Sequence, residues 1–447
     1  MYSALILAAG EGKRMKSAMP KVLHEVMFKP VIRWVVEAAA GAQERIVVVG
    51  HGADKVKEYL GGDVLYACQE VQLGTGHAVM QARELIKNCE CIAVLSGDTP
   101  LITARTLDTA YSYHKSSGNI ATVLTANVPD PYGYGRIVRG QGGDVVKIVE
   151  HRDATEKELE ITEINSGIYF FDTKELLSAL NKITTDNAQG EYYLTDTIEI
   201  LLSEGKKVGA FLLDDHNEIL GINDRIQLAA AGEIMRKRIV LRHMQEGVTF
   251  LSPDTAYISG EAQIGSDTII MPNSIIEGKT VIGNGCIIGP NSRIVDSKIG
   301  SGTKVDNSVV TRSEIGADAN IGPFAYIRPG CVLGDGVKAG DFVEVKNSVI
   351  GKGTKMSHLT YVGDADIGEG VNFGCGTVVV NYDGIKKHRS QVGDNAFIGC
   401  NVNLISPVKV GKGVFIAAGS TITDDIPDGA FAIARSRQTV KTDWKRK

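Results

Sequence analysis

Two groups of residues in this chain have the types and spacing to hold phosphate. The first begins with Leu7-Ala8-Ala9-Gly10-Glu11-Gly12-Lys13-Arg14-Met15, directly after a short apolar segment. A glycine-rich turn at the carboxyl end of a strand exposes backbone N–H groups to an anion. Arg14 and, further on, Lys21 bring positive charge to it. The spacing is not that of a Walker A loop, and the third glycine of a dinucleotide fingerprint would fall at Met15. Four further segments accompany the turn. Gln69 to His77 is a polar, glycine-rich loop with the groups to read a base edge. Ser96-Gly97-Asp98 sets a carboxylate just past an apolar strand, where α/β sheets keep ligand and metal sites. Gly133-Tyr134-Gly135-Arg136 precedes Glu150 and Asn165, and Gly221-Ile222-Asn223-Asp224 closes the series. Taken singly, Gly135 or Asn165 reads as turn chemistry.

The second group lies near the C-terminus. Arg328, Lys346 and Lys387 are cations suited to a phosphate group, and Tyr361 and Asn372 can add hydrogen bonds. His358, in Ser357-His358-Leu359-Thr360-Tyr361, has the side chain for a general base near neutral pH. The stretch Asn381-Tyr382-Asp383-Gly384-Ile385-Lys386-Lys387-His388-Arg389 interrupts an otherwise regular pattern. Loops that interrupt a solenoid often carry its site. A lone histidine at a coil corner would be structural; the cations and the interrupting loop favour a base.

The pattern so interrupted has a period of six. One apolar residue recurs from Ile264 through Ile270, Ile276, Ile282, Ile288 and Ile294, and again from Val392 through Ile398, Leu404, Val410, Ile416 and Ile422. Helices repeat at 3.6 and ordinary strands at 2, so a sustained six predicts a parallel β-helix with three hexads to a coil. Gly and Asn, among them Asn273, Asn284, Asn291, Asn307 and Asn320, are expected at corners where φ turns positive. Residues 1 to about 222 instead alternate apolar runs (Ala4–Ala8, Arg45–Val49, Cys91–Leu95, Ala121–Ala126, Gly167–Phe171) with helical patterns at Val31–Ala40 and His77–Ile86. Such alternation predicts an α/β domain on a mostly parallel, doubly wound sheet. Asp224 to Glu246 reads as a connecting helix, with Asp224 at its start and Gly247 past its end. The domains expected are thus 1–223, a linker helix 224–247, and 248–447.

At 447 residues the chain exceeds one ordinary core. Its formal net charge of −5 argues against a general nucleic-acid binder, and the basic run Lys441 to Lys447 reads as a solvated tail. No apolar run reaches the roughly 18 residues of a membrane span, and Met1-Tyr2-Ser3 enters a strand without a signal-peptide pattern. Seven cysteines without a Cys-x-x-Cys pair fit a reducing cytoplasm better than disulfides or zinc.

With these motifs in this order, the chain resembles the bacterial bifunctional N-acetylglucosamine-1-phosphate uridylyltransferase and glucosamine-1-phosphate acetyltransferase family throughout its length. The resemblance implies a Rossmann-like nucleotidyltransferase domain followed by a left-handed parallel β-helix with hexapeptide repeats. It implies that Leu7, Ala8, Ala9, Gly10, Arg14 and Lys21 hold UTP, with Gln69, Gly74 and Thr75 at the uracil. Asp98 and Asn223 would be the Mg²⁺ ligands, and Gly135, Glu150, Asn165 and Asn223 would contact N-acetylglucosamine 1-phosphate. In the β-helix, the resemblance makes His358 the base that deprotonates the amine of glucosamine 1-phosphate. Glu344 would orient its imidazole. Arg328, Lys346, Tyr361, Asn372 and Lys387 would hold the sugar phosphate. Cys375, Asn381, Tyr382, Cys400, Ala418 and Arg435 would meet acetyl-CoA. Relatives often carry Ala and Ser where this chain has Cys375 and Cys400, which bears on coenzyme A affinity and thiol sensitivity. A cytoplasmic homotrimer with sites between subunits is expected on the same ground. Two other readings stay open: a single-activity nucleotidyltransferase whose β-helix only assembles the oligomer, and a non-catalytic binding protein.

Overall fold

The computed structural model describes residues 1–445. The last two residues of the basic tail, Arg446 and Lys447, lie outside the described residues. The chain divides into two compact units, Met1–Met235 and Arg236–Lys447. The division falls inside the helix Arg225–Gln245. Its entry is fixed as the sequence predicts, with the Gln227 backbone N–H donating to Asp224 Oδ1 at 2.8 Å. Gly247 beyond its end takes a φ of 92°.

The first unit is built on a sheet of β1 (Ser3–Ala8), β2 (Arg45–Val49), β3 (Leu65–Cys68), β4 (Cys91–Ser96), β5 (Ala121–Asn127), β6 (Arg136–Arg139), β7 (Val145–Val149), β8 (Glu163–Asp172) and β9 (Val208–Leu212). Its main order is β9-β5-β8-β4-β1-β2-β3. Along this order the sheet is mostly parallel, as the sequence predicts, but one reversed strand and a hairpin make it mixed. Strand β8 runs antiparallel to both β4 and β5, and the β6–β7 hairpin is antiparallel. Apolar periodicity reports that a strand is buried on both faces, not its direction, so this reversal is not readable from it. The central strands carry Leu5, Ile6, Val47, Val94 and Phe170, all without exposed surface. Both faces are therefore covered, and the polar groups gather at the strand ends. The carboxyl ends of β1 and β4 lie side by side, with Leu7 in register with Ser96. This brings the glycine-rich turn beside Asp98.

The second unit is a prism of short parallel strands stacked in sheets of eleven, ten and nine, among the described residues. Each strand offers one buried residue: Ile264, Ile282, Ile299, Ile315 and Leu333 succeed one another up one wall. The six-residue period thus corresponds to one wall, and three walls close a coil. Asn273, Asn291 and Asn307 take positive φ at corners as expected. Asn320 does not: it begins a strand with Ile321. Asn284 leaves the left-handed conformation to Gly285, whose φ is 64°. Glycine has no Cβ to strain there. The loop following Val380 is the one long excursion among the described coils, and pairing resumes with Ala365 opposite Ser390. Arg389 pins its exit by bonding both carboxylate oxygens of Asp366.

Candidate functional site

In the first unit a cleft of about 360 Å³ opens at the ends of β1 and β4. Leu7, Ala8, Ala9, Gly10, Lys21, Gln69, Gly74, Thr75 and Asp98 all line it. Arg14 and Asn223 line a second hollow that shares Lys21 and Glu11 with the first. Two glycines here are dictated by close approach. A Cβ on Gly12, at φ 64°, would stand 2.7 Å from the Lys21 Cβ. One on Gly74, at φ 107°, would stand 2.6 Å from the Tyr192 carbonyl oxygen. Lys21 is mostly buried and donates from Nζ to Asp98 Oδ2, forming a close ion pair, and to Asn223 Oδ1 at 3.1 Å. Asp98 and Asn223 therefore meet around one cation although they are far apart in sequence. A backbone bond from Ile222 N–H to the Asp98 carbonyl at 2.9 Å fixes that approach.

These oxygens fit a divalent cation as two ligands of an incomplete shell. The ammonium already between them marks a point where both reach a positive charge. No cluster of three or more His, Cys, Asp or Glu able to hold a metal exists among the described residues. A hard cation here would take its other oxygens from phosphate and water, as Mg²⁺ does.

Glu150, Asn165 and Gly135 come together beside this cleft. The Asn165 backbone N–H donates to the Gly135 carbonyl at 2.9 Å, and its Nδ2 donates to the Tyr169 hydroxyl at 2.7 Å. Burial raises the Glu150 carboxyl above the ordinary range, partly opposed by the hydrogen bond from Thr195.

In the prism, Asp341 is in register with His358. Two residues beyond the register pairs Met356–Phe373 and Phe373–Ile398 stand Cys375 and Cys400, and Ala418 lies two beyond Ile416. The candidate base and three candidate coenzyme positions thus form one corner ladder. Arg435 adjoins its upper end, with Cδ 3.8 Å from where a Cβ on Gly419 would stand. His358 Nδ1 lies 2.5 Å from Asp341 Oδ1. Glu344, the orienting residue expected from the sequence, is engaged elsewhere: it accepts from Arg328 at 2.8 Å. The physical reason is register. Asp341 belongs to the same wall as His358, whereas Glu344 belongs to the next.

That next wall carries Arg328, Lys346 and Tyr361 on consecutive coils. Asn372 is on the wall of His358 instead. Asp364, missed from the sequence, gathers the remaining groups. It is nearly buried and accepts from Lys346 Nζ at 3.2 Å, from Asn347 Nδ2 at 2.6 Å and from Asn381 Nδ2. Lys387 stands against Lys346, and that neighbouring ammonium holds it below the ordinary lysine range. Tyr382 is exposed, its hydroxyl donating to the Gly384 carbonyl at 2.7 Å. A Cβ on Gly363 would meet the Tyr361 hydroxyl at 2.4 Å and Asn381 Nδ2 at 2.8 Å, so Tyr361 and Asn381 cover the same spot. A coil's length is the signal that would have found both carboxylates: Asp341 lies 17 residues before His358 and Asp364 lies 18 after Lys346.

A larger hollow, about 730 Å³, lies over the last coils beside Asp394, Lys412 and Asp428. It holds none of the candidate residues. Several of its charges are already engaged, Lys412 with Asp394 at 2.8 Å and Asp428 with the Lys412 backbone N–H at 2.8 Å.

Comparison with known proteins accords with this division. Residues 3–222 match the nucleotidyl transferase family, residues 254–357 the GMPPB C-terminal domain, and residues 389–424 the bacterial transferase hexapeptide family. The chain is 58% identical to the bifunctional protein GlmU of Acetivibrio thermocellus over 99% of this chain and 96% of that one. It is 57% identical to that of Caldanaerobacter subterraneus, over 99% and 97%. It is 52% identical to that of Clostridium botulinum, over 99% and 98%. With one domain of each transferase type and near-complete coverage, the chain belongs to the GlmU family of bifunctional enzymes, joining a nucleotidyltransferase to a hexapeptide acyltransferase.

Proposed function

We propose that the enzyme acetylates glucosamine 1-phosphate with acetyl-CoA and then transfers UMP from UTP to the N-acetylglucosamine 1-phosphate formed, releasing pyrophosphate. In the first reaction Arg328, Lys346 and Lys387 bind the sugar phosphate, with Tyr361 and Asn372 bonding the sugar. Two ammonium groups held side by side call for an anion, which is what the phosphate supplies. His358 takes the proton from the amine as its nitrogen attacks the thioester carbonyl. The C–N bond forms, the C–S bond breaks, and coenzyme A leaves as the thiol after taking a proton. Asp341 accepts the Nδ1–H of His358 and so leaves Nε2 as the basic nitrogen. Cys375, Cys400, Ala418 and Arg435 continue the corner along which the coenzyme lies, with Asn381 and Tyr382 beside the acetyl group.

In the second reaction a phosphate oxygen of the sugar attacks the α-phosphorus of UTP in line, and the α–β bridging bond breaks. The attacking oxygen is already anionic, so no base is needed. Gly10 and its neighbours offer backbone N–H groups while Arg14 and Lys21 neutralise the phosphates. Gln69, Gly74 and Thr75 face the uracil, and Gly135, Glu150 and Asn165 face the sugar. Asp98 and Asn223 would hold Mg²⁺, which supplies positive charge to the phosphate oxygens. Lys21 is then released from them to the nucleotide.

The observation that carries the reading is the meeting of Asp98 and Asn223 at Lys21 on the rim of a cleft walled by the glycine-rich turn. One incubation tests it: glucosamine 1-phosphate, acetyl-CoA, UTP and Mg²⁺ should yield UDP-N-acetylglucosamine, free coenzyme A and pyrophosphate. Coenzyme A without pyrophosphate would leave only the acetyl transfer; no coenzyme A, with pyrophosphate appearing only when N-acetylglucosamine 1-phosphate is added, would leave only the uridylyl transfer.

A homotrimer in the cytoplasm completes the proposal. Residues for one substrate are split between two walls of the prism, Asn372 on one and Arg328, Lys346 and Tyr361 on another. A neighbouring chain would bring one wall to the other. All seven cysteines are free thiols, as a reducing compartment requires. No helix among the described residues is long and apolar enough to cross a membrane.

A further inference from the structure

Gln69 is almost wholly buried in the wall of the first cleft. Its Nε2 lies 3.2 Å from the Gly74 carbonyl oxygen and 3.0 Å from His77 Nδ1. The Gly74 carbonyl decides the orientation of the amide, because an oxygen in place of Nε2 would face another oxygen. Both amide hydrogens are thereby committed, one to Gly74 and one to the imidazole. No described residue donates to Gln69 Oε1, which is left to the cleft. His77 must therefore be the acceptor at Nδ1 and carry its proton on Nε2; the exposed Gln81 amide lies 3.0 Å from Nε2, and turning its oxygen toward it gives up only a long 3.4 Å bond to the His77 carbonyl oxygen, weaker than the buried 3.2 Å bond that orients Gln69. The imidazole is held in place by stacking on Tyr192, with ring centroids 6.3 Å apart at 28°. The Gly76 backbone N–H adds a bond to the Tyr192 carbonyl at 2.8 Å.

We propose that His77 is a specificity-determining positioning residue: it locks the Gln69 amide so that only an acceptor faces the nucleobase. The inference rests on the uridine reading of this cleft and deepens it. Uracil offers a donor, N3–H, where cytosine offers a lone pair on N3. A glutamine free to turn about its last torsion would present its oxygen to the first and its NH₂ to the second, and would accept either base. With NH₂ tied to Gly74 and His77, cytosine meets lone pair against lone pair. A buried site that forces an unmade hydrogen bond discriminates strongly.

The test uses the full chain, with kcat/KM measured for UTP and for CTP at fixed Mg²⁺ and N-acetylglucosamine 1-phosphate. His77→Phe keeps a ring on Tyr192 but offers no acceptor. It is expected to lower the UTP-to-CTP preference at least about tenfold. His77→Asn places an oxygen near the former Nδ1 and is expected to hold that preference within about threefold. A His77→Phe enzyme with parental preference overturns the inference, as does a His77→Asn enzyme that loses as much as His77→Phe. If His77→Phe shows no cooperative thermal unfolding of the first unit, His77→Leu is read in its place by the same criteria. Gln69→Leu separates the two levels of the argument. If it too leaves UTP use unchanged, the uridine reading of the cleft fails; if it lowers UTP use while His77→Phe keeps parental preference, the role of His77 alone fails.

Discussion

The imidazole of His358 and the carboxylate of Asp341 stand one coil apart on the same wall of the prism, with Nδ1 2.5 Å from Oδ1. The hydrogen bond holds Asp341 below the ordinary carboxylate range. It also fixes which nitrogen of the histidine can accept a proton. Asp341→Asn keeps the shape but removes the charge, and it permits the wrong tautomer. Acetyl transfer should fall by roughly one to two orders of magnitude in kcat with KM for glucosamine 1-phosphate little changed. His358→Ala should abolish release of free coenzyme A. In both variants pyrophosphate formation from UTP and added N-acetylglucosamine 1-phosphate should persist, so a thiol-reactive dye on the acetyl-transfer reaction and a pyrophosphate assay on a separate reaction given that sugar phosphate distinguish the two activities.

Asp364 receives Lys346, Asn347 and Asn381 at one nearly buried carboxylate. Asp364→Ala leaves the Lys346–Lys387 pair without its counter-charge and frees the interrupting loop. Removing one partner of a buried charge pair costs about 3 kcal/mol. The thermal midpoint of the β-helix should therefore fall, and KM for glucosamine 1-phosphate should rise more than kcat drops. A variant with parental KM would remove Asp364 from this account.

At the other site, Asp98→Ala should cut uridylyl transfer by roughly a hundred- to a thousandfold, as loss of one preorganised charge-stabilising group does. Because Lys21 is then left mostly buried and lacking its carboxylate partner, Lys21→Ala in the same background should add far less than it does alone. Additive losses in the double variant would show that the two residues act separately.

His114 gives the first unit an acid-sensitive point. It is buried, with Nδ1 2.9 Å from the Thr122 hydroxyl, and burial followed by the charge of Lys115 lowers its pKa from 6.5 to about 4. A base with a depressed folded pKa binds more protons when unfolded. Its contribution is therefore intact above pH 6.5 and is lost as pH falls from 6.5 toward 4. The loss amounts to about 3 kcal/mol at the lower end. Denaturant unfolding of the parent and of His114→Gln, compared at pH 7 and pH 5, should show the variant losing less. Equal losses would mean that another group dominates.

The prism was open to reading because each inward residue repeats the same environment. Ile264, Ile282 and Ile299 follow one another on one wall, so a one-dimensional period carries three-dimensional information. The glycine-rich turn was readable too, since Gly12 and Gly74 are required by backbone approach and not by distant partners alone. The direction of β8 was not, nor was the choice of Asp341 over Glu344. Counting coil lengths of 17 and 18 residues from His358 and Lys346 would have recovered both Asp341 and Asp364.

By itself the sequence determined the two architectures, the break in the repeat and the residue types able to hold phosphate, because periodicity and local turn geometry depend on neighbours along the chain. Only the tertiary structure decided that Asp98 and Asn223 share Lys21, that Asp364 collects three donors, and that the Gln69 amide nitrogen sits between the Gly74 carbonyl and the His77 imidazole. Those are choices among hydrogen-bond partners. Every polar side chain has several possible partners, and burial at a particular register selects among them.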